Sequence, residues 1–296
     1  MEKLGGYHSK KAIGKLLTMA DTLKLMAVLA HPDDESLGNG GMLAKYAAEG
    51  IEIHLVVATR GERGWPGKES DFPGLEALGK IREAEVRAAA EVLGLHRVHF
   101  LDYIDGDLDT AHPAEAVAKI VGHLRRVRPD VVVTFGQYGG YGHPDHIAIS
   151  QFTTAAIVES ANPNSLYYRD LPPHSVSKLY YMAETEEVFA VYQSVFGDLV
   201  MHIDGVKRCM VSWPGWSVTT RIDSWDYWRT VARAISCHQT QVPAYHVLEQ
   251  LSEEQRKTLW GTQCYYRAFS LVNGGRQIEE DMFEGIRTIT EERIIS

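Results

Sequence analysis

Cysteine is scarce in this chain: three in 296 residues, at 209, 237 and 264, with no Cys-x-x-Cys pair. That excludes a disulfide framework and a thiolate zinc site, and it fits a reducing, cytoplasmic setting. Long apolar runs are missing as well. None approaches the ~18 residues of a membrane span. The basic N-terminus through Lys15 is followed by no apolar core of the kind a signal peptide needs. Positive charge is in the minority, with 30 Lys+Arg against 39 Asp+Glu and a formal net charge of −9. A nucleic-acid partner is disfavoured, because phosphate binding needs a basic face. The Arg125-Arg126-Val127-Arg128 run sits where a helix should end and suits that helix's dipole. The rest, 45% hydrophobic and 23% charged, is the composition of an ordinary globule.

What is present is ordered as alternating strands and helices. Apolar runs at Leu25–Ala30, Ile51–Ala58, Val98–Leu101, Val131–Phe135 and Lys178–Met182 predict five strands. Ser36–Glu49, Glu76–Leu93, Ala114–Val127 and Pro144–Glu159 predict the helices between them, with Gly50, Gly94 and Pro129 as stops. This pattern predicts an α/β fold, a Rossmann-like parallel sheet of order about 3-2-1-4-5 flanked by helices, with a C-terminal elaboration. A single domain is expected over 23–296, after a leader or extension over 1–22 in which Met19 is an alternative start. The pattern degrades from Ser160 to Arg221, where prolines interleave with Tyr167, Tyr168, Trp213 and Trp216. That irregular segment is expected to shape a substrate pocket, and Trp225–His238 to be helical again.

Two clusters carry chemistry. His31-Pro-Asp-Asp-Glu35 follows the first strand, and Gly142-His-Pro-Asp-His146 follows the fourth. In a 3-2-1-4-5 sheet those strands are neighbours at the point where strand order reverses, and ligands bind there, beyond the carboxyl ends. Histidine nitrogens and carboxylate oxygens suit zinc, and spare carboxylates can move protons. The bland reading of the first cluster is a helix start capped by Asp33, Asp34 or Ser36; the second cluster weighs against it. Gly38-Asn-Gly-Gly41 resembles a nucleotide-binding loop, but Leu43 stands where its last glycine belongs. Gly215-Trp-Ser-Val-Thr219 misses the serine-hydrolase elbow in the same way. Arg63 follows the second strand and is a candidate for sugar binding, with a loop salt bridge as the alternative. His54 and His99 lie within strands and read as packed core histidines.

The paired motifs AHPDDE and GHPDH resemble those of the PIG-L/LmbE-like family of zinc-dependent N-acetylglucosamine deacetylases. Weaker landmarks, among them Ala58–Gly64, Asp105-Gly106, His238–Val242 and Glu280–Gly285, extend the likeness to most of the chain from Leu23. The resemblance implies a zinc ion held by His31, Asp34 and His146, one per chain, with Fe2+ or another divalent ion as the alternative. It implies that a metal-held water attacks the acetyl carbonyl of an N-acetylglucosamine-containing small conjugate. Asp33 would then be the general base, and His143 would stabilise the oxyanion or protonate the amine. Asp145 would hold a proton on His143 and raise its pKa. Tyr141 matches a mobile tyrosine near the oxyanion, and Asp105 an acid that binds sugar hydroxyls, with turn formation at Asp105-Gly106 as the alternative. His238 matches a position of the family, but the residues around it suggest no physical role. The alternatives are a same-family amidase cleaving a cysteinyl amide of a thiol conjugate, a module that binds sugar without catalysis, and a nucleotide-binding Rossmann protein without hydrolase activity. The identity of the aglycone and the existence of a homo-oligomer stay open.

Overall fold

The computed structural model describes residues 22–287. The expected leader or extension lies, but for Thr22, outside the described residues. Strands β1 (Lys24–Leu29), β2 (Glu52–Thr59), β3 (Arg97–Tyr103), β4 (Val131–Thr134) and β5 (Lys178–Met182) form the order β3-β2-β1-β4-β5 with parallel pairing. This is the α/β order that the sequence predicts. β1, β2 and β4 are buried almost throughout. A parallel sheet covered on both faces produces such unbroken apolar runs.

The helices are α1 (Asp34–Ala48), α2 (Leu75–Leu93), α3 (Pro113–Val127), a distorted single turn α4 (Gly139–Gly142) and α5 (Pro144–Ala161). Gly94 ends α2 at φ 79°, a left-handed cap that suits glycine. α3 packs on α5, whereas α1 and α2 pack on the later helix α7 (Trp228–Cys237). The α1 glycines serve packing rather than a nucleotide: a Cβ at Gly40 would stand 3.3 Å from Val231 of α7, and one at Gly41 would stand 2.6 Å from Ser224 Oγ. Arg125 and Arg126 fall in the last turn of α3, where the helix dipole favours them, and Arg125 has a second task. It is buried and donates to the carbonyls of Ser160, Asn162 and Tyr167, closing the end of α5.

The segment 160–221 is more regular than its sequence suggests. It holds β5, an eleven-residue helix α6 (Glu186–Phe196) and a hairpin of β6 (Val200–Ile203) and β7 (Val206–Cys209). Val188, Val191, Tyr192, Val195 and Phe196 fall at helical spacing and pack against the cluster around Trp260. That periodicity was present in the sequence, hidden among the surrounding prolines. Beyond β5 the sheet turns antiparallel: β9 (Thr262–Ser270) pairs with β5, and β8 (Thr220–Asp223) with β9.

Candidate active site

β1 ends at Leu29 and the chain turns, so His31, Asp33 and Asp34 stand at its carboxyl end. β4 lies beside β1 and leads into α5, which opens on His143, Pro144, Asp145 and His146. The two clusters therefore meet. His31 Nδ1 and His146 Nε2 lie 3.1 Å apart. Asp34 Oδ1 is 3.5 Å from His146 Nε2, and Asp34 Oδ2 is 3.9 Å from His31 Nδ1. Asp34 Oδ2 accepts the backbone N–H groups of Ala30 and His31, which leaves Oδ1 turned to the shared space. His31, His143 and His146 also bring ligating atoms within 4.8 Å of one another.

The far nitrogen of His31 is clamped by carboxylates. His31 Nε2 is 3.1 Å from both Asp145 Oδ2 and Asp105 Oδ1. Asp145 also accepts the N–H groups of Gly106 and Leu108. Such partners fix a ring's orientation and leave the other nitrogen free to ligate. Burial disfavours a charged His31, yet Asp105, Asp145 and Asp34 together raise its pKa to about 10. Burial raises Asp34 to about 7 against the pull of His31. Three carboxylates thus crowd around one imidazole. Two imidazole nitrogens and one free carboxylate oxygen are a fitting donor set for a divalent metal.

Three sequence expectations change here. Asp145 grips His31, not His143. Its backbone N–H donates to His143 Nδ1, so His143 carries its ring proton on Nε2. Burial, then the charge on His31, lowers the His143 pKa to about 4, the opposite of the expected rise. Asp105 lines the cavity, but its carboxylate is engaged by His31 Nε2 and the Arg63 N–H. The Arg63 guanidinium makes the alternative loop salt bridge, a two-point pair with Asp107 at 2.6 and 2.7 Å. Tyr141 sits in α4 with its ring edge-on to His143 and His146, at 5.8 and 5.6 Å between centroids.

Asp33 is held by groups that the sequence did not announce. Its Oδ2 accepts from Arg82 Nη2 at 2.9 Å and from the Tyr245 hydroxyl at 2.8 Å, which leaves Oδ1 for the cavity. Its backbone takes φ 108°, a conformation costly for any residue with a Cβ. The Asp33 N–H donates to Glu35 Oε2 at 3.0 Å, and Glu35 Oε1 meets His238 Nε2. Arg82 is buried in the middle of α2, within an Ala/Glu/Arg pattern that reads as a solvated face. Tyr245 comes from the far C-terminal part of the chain. No local spacing could flag either one.

The model of the family described as PIG-L, GlcNAc-PI de-N-acetylase, matches residues 26–157. A mycothiol S-conjugate amidase from Streptomyces coelicolor is 30% identical, over 91% of this chain and 99% of that protein. A 1D-myo-inositol 2-acetamido-2-deoxy-alpha-D-glucopyranoside deacetylase from Thermobifida fusca is 36% identical, over 74% of this chain and 83% of that one. The chain belongs to the PIG-L family. The PIG-L fold is matched by the structure of an N,N'-diacetylchitobiose deacetylase from Pyrococcus horikoshii, at TM-score 0.64 and 21% identity, covering 83% of this chain and 84% of the other.

The PIG-L site floors a cavity of about 400 Å³. His31, Asp33, Asp34, His143 and His146 form its polar end. Tyr192 and Phe196 of α6, together with Leu199 and Met210 beside the hairpin, form an apolar wall. Tyr192 is thus a tyrosine of the 160–221 segment that lines the pocket, as the sequence leads one to expect, whereas not every aromatic of that segment does. Trp216, for one, is 88% exposed. Among the described residues no helix is long and apolar enough to cross a membrane.

Proposed function

We propose that this protein is a divalent-metal hydrolase that removes the N-acetyl group from an N-acetylglucosamine unit carried on a small polar conjugate. One observation carries the reading: His31 Nδ1, His146 Nε2 and the free oxygen of Asp34 converge beside an Asp33 carboxylate pinned by Arg82 and Tyr245. His31, Asp34 and His146 are the residues that would hold the ion. A zinc ion there, or Fe2+ in its place, would supply the charge that polarises the amide carbonyl and acidifies the attacking water.

The chain's own groups supply the rest. Asp33 offers Oδ1 to the cavity as general base. Its lid of Arg82 and Tyr245 keeps the other oxygen from rotating into that role. His143 presents an Nε2–H donor, suited to a developing oxyanion. The Tyr141 hydroxyl is a second candidate donor in the same corner. Asp105 and Asp145 act through His31. The whole stretch 23–296 is the catalytic unit in this reading, and its three free cysteines fit the cytoplasm.

The apolar wall of Tyr192, Phe196, Leu199 and Met210 favours a second reading, the amidase. A thiol conjugate carries an apolar group that such a wall would bury. The likeness to the mycothiol S-conjugate amidase along nearly its full length supports it too. The deciding experiment measures acetate release from N-acetylglucosamine, its glycosides and simple acetamides, beside cysteinyl-amide cleavage of a thiol conjugate, on metal-analysed protein. A glycoside should give the highest kcat/KM, because remote contacts orient the amide. Equal rates on a simple acetamide and every sugar would sink the sugar reading. Cysteinyl release without acetate would establish the amidase.

A further inference from the structure

A second group of imidazoles lies at the other end of the sheet. β2 and β3 run parallel, with His54 opposite Arg97, so the catalytic cluster stands beyond their carboxyl ends and Glu52, His54 and His96 stand at their starts. Glu52 and His54 are two apart on one strand and share a face. His96 immediately precedes β3, and its backbone N–H donates to Ile53 O, which brings it alongside. The ligand atoms of Glu52, His54 and His96 all lie within 4.8 Å of one another. His54 Nε2 is 2.8 Å from Glu52 Oε1.

We propose that Glu52, His54 and His96 form a second site, for a divalent transition-metal ion, separate from the catalytic cluster. The donor set decides the class of ion. Two imidazoles and one carboxylate, with no sulfur, suit zinc, nickel or copper(II) better than magnesium or calcium. Three protein ligands leave the remaining positions to water. His96 is exposed and Glu52 half-buried, so the ion enters directly from solvent.

The surroundings supply what such a site needs behind its ligands. His54 Nδ1 lies 3.1 Å from His99 Nε2, and the two rings stack with centroids 5.5 Å apart. With Nε2 given to the metal, His54 keeps its proton on Nδ1 and donates it to His99, which fixes tautomer and ring plane. His123 packs on His99 at 4.8 Å and backs that ring. Lys24 Nζ sits 3.3 Å from Glu52 Oε1 and is the carboxylate's counter-ion in the metal-free protein. Its side chain is 31% exposed, so it turns out to solvent when a cation takes that place.

The test uses the full chain stripped of metal and titrated with zinc by calorimetry, with elemental analysis after dialysis. Wild type should show two separable binding events. His96→Gln and Glu52→Gln should each lose one event and keep the other. His146→Ala should lose the opposite event, so the outer site stands or falls apart from the catalytic reading. His96 is exposed and Glu52 half-buried at the start of β2, and circular-dichroism melts should show both variants folded. A single event in wild type overturns the second site, and so does a His96→Gln variant that keeps both events.

Discussion

The Glu35 carboxylate meets His238 Nε2 at 2.8 Å, and both side chains are wholly buried. Burial alone would neutralise each of them. Their mutual attraction outweighs it, lowering the Glu35 pKa and raising that of His238. Because Glu35 Oε2 also accepts the Asp33 N–H, the pair fixes the left-handed backbone on which the Asp33 carboxylate is mounted. His238 has a physical role after all: it is the far anchor of the His31–Glu35 loop.

Glu35→Gln should accordingly lower kcat while metal content and KM stay close to wild type. A misplaced catalytic group can cost about 10²-fold in rate. Steady-state kinetics on metal-analysed protein decides the matter. A proportional loss of bound metal would show that the pair supports the ligands instead.

Asp33→Asn should keep the metal and lose roughly 10² to 10⁴ in rate, the usual worth of a general base. Asp34→Asn should instead weaken metal binding. Kinetics and elemental analysis of both variants separate the roles, and the reverse pattern would exchange them.

Asp105→Asn tests the reassignment of Asp105 from sugar contact to His31 support. Loss of an outer partner typically costs about 10–100-fold in metal affinity. Competition with a chelator should reveal that loss. A raised KM with unchanged metal affinity would return Asp105 to the sugar.

Glu279 sets an acid limit on stability. It is buried against Lys178, Arg267, Asn273, Tyr180 and Thr220. Burial pushes its carboxyl up, but those partners win and hold it at about 2 against an ordinary 4.5. A lowered carboxyl contributes stability that is complete above pH 4.5 and is lost as pH falls toward 2. Glu279→Gln leaves Lys178 buried without its carboxylate and should cost about 3–5 kcal/mol at pH 7. Denaturant unfolding at pH 7 and pH 3.5 should show the variant losing less on acidification than wild type. An equal loss in both would place the acid sensitivity elsewhere.

The first five strands were legible because parallel strands covered on both faces are plain apolar runs. His31, Asp33 and Asp34 were legible because they lie within a few residues of the end of β1, and His143 and His146 because they open the helix that follows β4, the strand beside β1. β9 was not, since an antiparallel strand such as Thr262–Ser270 mixes polar and apolar residues. Arg82 and Tyr245 were hidden for another reason: helix pattern and loop composition say nothing about which distant oxygen a side chain reaches. Asp145 was seen but given the wrong partner. Its choice of His31 over His143 depends on where a ring nitrogen points, which the spacing of residues does not encode.

The origin of the site in distant parts of the chain also sets an order in time. During synthesis the N-terminal part folds first, at about 5–20 residues per second. His31, Asp34 and His146 can meet once β1 and β4 have paired. Tyr245 closes on Asp33 only after about 100 further residues, some 5–20 s later at those rates. In the proposed mechanism a nascent chain would thus gather its metal ligands well before the base is pinned, and competence would arrive only with the C-terminal segment.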